Sequence, residues 1–268
     1  MNDINNWVFP PIVQSAIAGI ADSRFCQEML DYCAGMVTLG GYSIDLNSKI
    51  ATEKIVKRGR KEFLLPENRL KKKQWIEEKI VLNKKNLNQK IAANVRIVKL
   101  DDMSMFWLES LQNHVDYIEL NAHCRQKEIV NIGGGQALLV NLKNLELIFA
   151  EFDKNFPSIN YGIKIRGYVV GNVENFIKSI ETTNCKYIHI DAMIPGKESA
   201  DLHLIDKFVK STKIPIIANN LVRELMQIKQ MLSSGVKAVS LARPLIENPL
   251  FMKKLTKTYI EDYECQNQ

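Results

Sequence analysis

Cysteine, long apolar runs and paired metal-ligand spacings are all scarce in this chain, and each scarcity excludes a class of protein. Its five cysteines, at 26, 33, 124, 185 and 265, are odd in number and widely scattered. No C-x-x-C pair occurs, which argues against a zinc site or a disulfide framework, and no metal is expected. No apolar stretch approaches the roughly 20 residues that span a bilayer, so no membrane partner is expected. The first residues, Met1-Asn-Asp-Ile-Asn-Asn-Trp7, lack the basic start and apolar stretch of a signal peptide. These absences read as a cytoplasmic protein with reduced thiols. A nucleotide fingerprint is missing too: after the first apolar run, Ala18-Gly-Ile-Ala-Asp22 is not a G-x-G-x-x-G.

What is present is ordinary globular composition, 46% hydrophobic and 25% charged over 268 residues. That length suits one large α/β barrel or two small domains. The net charge of +6 is uneven. Between Lys49 and Lys90 stand 14 Lys or Arg against 5 Glu, a local balance of +9, so the remainder is near −3. This segment reads as a solvated helix or loop insertion, or else as a patch for a polyanion such as RNA. Its aromatics are only Phe63 and Trp75, which gives a base-stacking surface little support.

Outside the basic segment, short apolar runs alternate with helix-length amphipathic runs. The expected strands are 11–17, 35–39 (closed by Gly40-Gly41), 91–98, 116–120, 160–166, 187–191, 214–219 and 238–242. Helices are expected at about 22–35, 102–113, 136–154, 172–182, 201–211, 221–234 and from about 249, with one more at about 66–83 in the insertion. Asp22 suits a helix N-cap. Eight strand–helix units with strands apolar on both faces predict a (β/α)8 barrel, a single domain over 1–268 with a basic insertion at about 45–90.

Function in such a barrel sits at the C-terminal strand ends. Those ends carry Ala18-Gly19, Gly40-Gly41, Asn94 to Arg96, Asn121 to Cys124, Lys164 with Arg166, Asp191, Asn219-Asn220 and Ala242-Arg243. The set is polar and cationic, suited to a flat anionic cofactor. The loops after strands seven and eight, Asn219-Asn-Leu-Val222 and Ala242-Arg-Pro244, stand at the fold's phosphate site, with helix starts and Arg243 as the expected anion ligands. Cys124 follows a strand and precedes Gly133-Gly-Gly135, which marks it as reactive rather than merely buried. His123 is a candidate for substrate contact, and Lys164 within an apolar strand is costly unless paired or facing the mouth. His189 reads as a core histidine.

At these positions the chain resembles the dihydrouridine synthase family of flavin-dependent barrels, over about 10–44 and 91–252. Glu119-Leu-Asn-Ala-His-Cys124 with Gly133-Gly-Gly-Gln-Ala-Leu-Leu139 resembles the family's D-I-N-x-G-C-P and G-G-A-G-A-A-L-L. Gly162-Ile-Lys-Ile-Arg166 resembles V-K-x-R, Ile214-Pro-Ile-Ile-Ala-Asn219 resembles I-P-V-I-A-N-G, and Leu241-Ala-Arg-Pro244 resembles I-G-R-G. The resemblance implies FMN over the barrel mouth, NADPH or NADH as electron donor, and hydride transfer to a uracil-like ring with Cys124 as proton donor. An ordinary thiol, of reference pKa about 8.5, can supply that proton at neutral pH. Asn121 and His123 would stand on the substrate side. Ala18, Gly19, Asn94, Lys164, Arg166, Asp191, Asn219, Asn220, Ala242 and Arg243 would line the cofactor side.

Departures are equally legible. His123 and Arg125 flank the cysteine where the family has Gly and Pro, Asp191 replaces a histidine, Asn220 a glycine, and Ala242 a glycine. About 19 residues follow Pro249, so the helical tRNA-gripping domain of typical members is not expected. The chain reads as a divergent, short archaeal-type relative. Its expected substrate is uridine in tRNA, with two alternatives: a reductase or dehydrogenase of a small heterocycle without RNA, or a non-catalytic barrel that has lost flavin.

Overall fold

The structure is a computed structural model that describes residues 7–196, 199–220 and 222–266. Eight parallel strands close into a barrel in chain order. They are β1 Ile12–Gln14, β2 Met36–Ser43, β3 Lys90–Arg96, β4 Tyr117–Ala122, β5 Tyr161–Arg166, β6 Cys185–Asp191, β7 Ile216–Asn219 and β8 Ala238–Leu241. Around them run α1 Ser23–Asp31, α2 Leu46–Lys57, α3 Arg69–Lys79, α4 Asp102–Leu111, α5 Lys127–Val130, α6 Leu142–Asn155, α7 Val173–Glu181, α8 Leu202–Ser211, α9 Leu225–Ser233, α10 Arg243–Glu247 and α11 Leu250–Gln266. This is the (β/α)8 barrel that the alternation predicts. No described helix is long and apolar enough to cross a membrane.

Local chemistry explains the element starts. Asp22 accepts from Phe25 N to cap α1, Asn68 caps α3, and Asp201 caps α8. Asp101 and Ser104 form a reciprocal capping box on α4. The strands are buried on both faces, as parallel strands under a helical ring must be. At the N-terminal end of the barrel Tyr117 packs edge-on against both Trp7 and Tyr187, which tilt against each other.

Several boundaries differ from expectation, each for a physical reason. β1 is only three residues long, and the chain from Ala16 to Ala18 turns into a cavity wall instead. β2 does not close at Gly40-Gly41; it continues to Ser43 across a register shift against β3. The expected helix at 136–154 is split. Gly135–Leu139 forms a 3-10 turn, and Asn141 caps a fresh start for α6.

The basic segment holds a second helix, α2, which composition did not reveal. It is no detached lobe. Asp45 caps α2 through Ser48 N and also accepts from Val98 N at 3.0 Å, while Asp101 accepts from Leu46 N at 2.9 Å. Ala51 and Ile55 of α2 pack with Ile129 of α5 beneath Cys124. Farther along, Phe63 bridges to Tyr42, and Trp75 stacks edge-on to both Tyr42 and Trp107. One side of the segment is therefore part of the barrel, and most of its lysines, though not the buried Lys49, are on the outer side.

Candidate active site

Strand register delivers the side chains. Asn94 pairs with Glu119, Asn121 with Lys164, Lys164 with His189, Arg166 with Asp191, Asp191 with Asn219, and Asn219 with Ser240. Above them lies a cavity of about 690 Å³ at the C-terminal strand ends. That volume falls in the usual range for a cofactor or small-ligand site. Ala18, Asn94, Asn121, His123, Cys124, Lys164, Arg166, Asp191, Asn219, Asn220, Ala242 and Arg243 all line it. Gly19, next to Ala18, is not among the lining residues. It has φ +73, and a Cβ there would fall 2.7 Å from the Lys61 carbonyl carbon. Close backbone packing against the insertion is what requires that glycine.

The cysteine loop is held from two sides. Asn121 Oδ1 accepts from Cys124 N at 2.8 Å and His123 N at 3.1 Å. The Cys124 carbonyl accepts from Gln136 N at 2.9 Å. At Gly135, φ +56, a Cβ would meet that carbonyl oxygen at 2.3 Å. From outside, Arg58 at the end of α2 donates to Gln126 at 2.8 Å and to both Glu128 oxygens.

Three charged or ionisable groups meet on the β4–β6 side. His123 Nε2 lies 2.7 Å from Asp191 Oδ2, and Arg166 Nη1 donates to the same oxygen at 3.1 Å. Burial pushes the Asp191 carboxyl up, but the His123 hydrogen bond and the charges of Arg166 and Lys164 outweigh it and hold it at about 2. Burial, with the Lys164 and Arg166 charges, holds His123 down at about 4 against the pull of Asp191. The imidazole is neutral at pH 7, and its Nε2 faces both the ionised carboxylate and Arg166 Nη2, the latter at 3.0 Å. The Asp191 that stands where the family has a histidine is thus a paired anion.

Lys164 donates to Ser15 Oγ at 3.1 Å. Burial lowers its pKa, partly offset by Glu119 and Asp191. His189 is indeed a satisfied core residue, bonded to Glu119 at 2.8 Å and Ser240 at 2.6 Å. Sequence reading missed Ser15, Ser240 and Glu119 as members of this floor. Arg96, expected only as one of the polar strand ends and given no role, lines the cavity and pairs at 2.6 Å with Glu62 of the insertion. Glu62 bonds Arg60 at 3.0 Å as well. No spacing rule connects residue 62 to residue 96, so only the alternation of β3 pointed to Arg96.

At the β7–β8 side, Asn220 is buried with φ 153, and its Nδ2 has no hydrogen-bond partner among the described residues. α10 is only five residues long and α9 begins at Leu225; the side chains that reach the cavity wall here include Asn220 and the exposed Arg243. Leu221 of the expected phosphate loop lies outside the described residues. Among the described residues no cluster of three or more His, Cys, Asp or Glu side chains is arranged for a metal ion.

Comparison with known proteins agrees with this geometry. The chain is 35% identical over 258 residues to an uncharacterized protein of Methanocaldococcus jannaschii, covering 93% of this chain and 95% of that one. Over 85 residues it is 31% identical to a phosphoribosyl imidazole-4-carboxamide isomerase of Campylobacter fetus subsp. fetus, 31% of this chain and 36% of that enzyme. Residues 71–267 match the family model described as dihydrouridine synthase (Dus). A barrel with a cysteine loop at the end of β4, a buried lysine on β5 and a match over most of its length, this chain belongs to the dihydrouridine synthase family.

Proposed function

We propose that this chain is an FMN-dependent oxidoreductase that reduces the 5,6 double bond of a uracil ring, with Cys124 as proton donor. The observation that carries the reading is that Cys124, on the β4 loop, and the buried amine of Lys164, on β5, line one cavity.

The walls suit a flat anionic cofactor on their own evidence. The amide nitrogen of Asn220 is buried without a partner. At Gly41 a Cβ would lie 2.8 Å from Asn94 Oδ1, so a side chain there would intrude on the polar floor. FMN, when bound, would supply the hydride, with NADPH or NADH as the source of electrons. Asn219, Asn220 and Arg243 would hold its phosphate side, and Lys164 would offset negative charge on the ring. Ala18 and Ala242 would form small-residue walls, while Arg166 and Asp191 would fix the imidazole of His123. Cys124 Sγ gives its proton to the ring carbon adjacent to the one that receives hydride, and the pair of additions saturates the bond. Asn121, by holding the Cys124 and His123 N–H groups, keeps that loop in place.

Besides Arg243, three arginines, Arg60, Arg125 and Arg223, are exposed and stand on the cavity wall. Three guanidinium groups at the rim, beside the lysine-rich outer side of the insertion, favour uridine presented within an RNA such as tRNA. Flavin-loaded protein and tRNA should form a complex whose affinity falls with salt, as counterion release requires. Cys124→Ala should retain the flavin and abolish dihydrouridine formation. Turnover of free uridine nucleotides without any RNA shift would move the assignment to a small-molecule reductase. Unchanged turnover in Cys124→Ala would remove the proton-donor role.

A further inference from the structure

Beneath the cavity the barrel interior holds ionisable groups at positions where this fold ordinarily packs Val, Ile and Leu. Glu119 and His189 are fully buried and Lys164 is 5% exposed. Their hydrogen bonds form one connected set with two arms. In the first, Glu119 Oε1 accepts from Asn94 Nδ2 at 2.7 Å. That fixes the Asn94 amide, because its oxygen would be repelled by the carboxylate. The Asn94 oxygen then accepts from Asn121 Nδ2 at 2.7 Å, which turns Asn121 Oδ1 toward Cys124 N at 2.8 Å.

The second arm starts on the other carboxylate oxygen. Glu119 Oε2 accepts from His189 Nδ1 at 2.8 Å and from the Tyr187 hydroxyl at 3.2 Å. A neutral imidazole that donates through Nδ1 accepts through Nε2. With the imidazole neutral, the Ser240 hydroxyl donates to Nε2 at 2.6 Å, Ser15 donates to Ser240 at 3.0 Å, and Lys164 donates to Ser15 at 3.1 Å. Asn219 Nδ2 donates to both serine oxygens, at 3.1 and 2.7 Å. Both arms begin on one carboxylate and end on a residue that lines the cavity.

Filling a core does not require such a set. Replacing buried ionic groups by apolar side chains of similar volume is often neutral or stabilising, whereas removing one partner is costly. We propose that Glu119 is a positioning residue that serves both sides of the site. Through Asn94 and Asn121 it sets the Cys124 loop, and through His189, Ser240 and Ser15 it sets the pose of Lys164. The roles of Cys124 and Lys164 rest on the proposed function; the anchoring itself does not.

The test uses a Cys33→Ser, Cys265→Ser background, in which Cys124 is the one cysteine that is not buried. The rate of iodoacetamide labelling of Cys124 is measured without flavin, with Cys26 and Cys185 as internal reporters of global opening. Asn94→Ala and Glu119→Gln should each raise the Cys124 rate about three- to tenfold, the weight of one such hydrogen bond, without raising the other two. Ser15→Ala, on the lysine arm, should leave it unchanged. In an FMN titration, Glu119→Gln and Ser15→Ala should each weaken binding by a similar factor. Folded Asn94→Ala and Glu119→Gln proteins that label at the parent rate overturn the proposal, as does parallel acceleration at all three cysteines. If Glu119→Gln fails to fold, Asn94→Ala decides the first arm and Ser15→Ala the second. Selective labelling in a protein that takes up no FMN would uphold the anchor and sink the flavin reading.

Discussion

His123 and Asp191, from the ends of β4 and β6, meet at 2.7 Å over a carboxylate that Arg166 also holds. The pairing makes acid stability a readout of the site. His123 is held at about 4, below its unfolded value of about 6.5, so the folded chain binds fewer protons between those values. Its contribution is complete above about pH 6.5 and declines as pH falls toward 4. His189, also lowered by burial, adds to the same window. Asp191, held at about 2, and Glu119, at about 2, keep their contributions to lower pH and lose them between about 4 and 2. The His123 side chain is 27% exposed, which reduces its share to about 1–2 kcal/mol. Urea midpoints measured from pH 7 to 4.5 should fall, and His123→Gln should flatten part of the slope. A flat parent profile would contradict the burial of His123 beside the Lys164 and Arg166 charges.

Glu62 should be the costliest single residue of the insertion to remove. Its side chain is fully buried between Arg96 and Arg60. Glu62→Ala would leave the Arg96 guanidinium buried and unpaired, a loss of about 3–5 kcal/mol. Arg58, 48% exposed, pairs with Glu128, and Arg58→Ala should cost about 0–1 kcal/mol. Chemical denaturation of the two variants decides the order; equal losses would mean that the insertion is not anchored through Glu62.

Two glycines of one loop should respond differently to alanine. Gly133 has φ +86 but open space around its Cβ position, so Gly133→Ala meets only backbone strain, about 1–2 kcal/mol. Gly135→Ala adds a clash with the Cys124 carbonyl at 2.3 Å and must displace the cysteine loop. Thermal unfolding should show a larger loss for Gly135→Ala, accompanied by faster Cys124 labelling. Similar behaviour of the two would contradict the contact.

The barrel was legible because buried parallel strands are apolar on both faces and interrupted by amphipathic helices, a pattern that survives errors of a few residues at each boundary. The cysteine loop was legible because a polar, glycine-rich stretch directly follows an apolar run. What stayed hidden depends on pairing between distant residues. A stretch of net +9 reads as a solvated patch, and nothing local shows that Glu62 turns inward to Arg96. Helix α2 was missed because its apolar face is weak and its packing is supplied by α5. His123 and Asp191 each look like a loss when read alone, since each replaces a family residue with a different charge character. Only the fold shows that the two departures answer one another.

The central claim is tested most directly by the visible absorbance of the purified protein, with the heat-released cofactor identified by mass. The account predicts bands at about 370 and 450 nm from a bound oxidised flavin, released as FMN, and retained in Cys124→Ala. A protein that is colourless and stays so on titration with FMN would contradict it, and the cavity floored by Lys164 would then need another ligand.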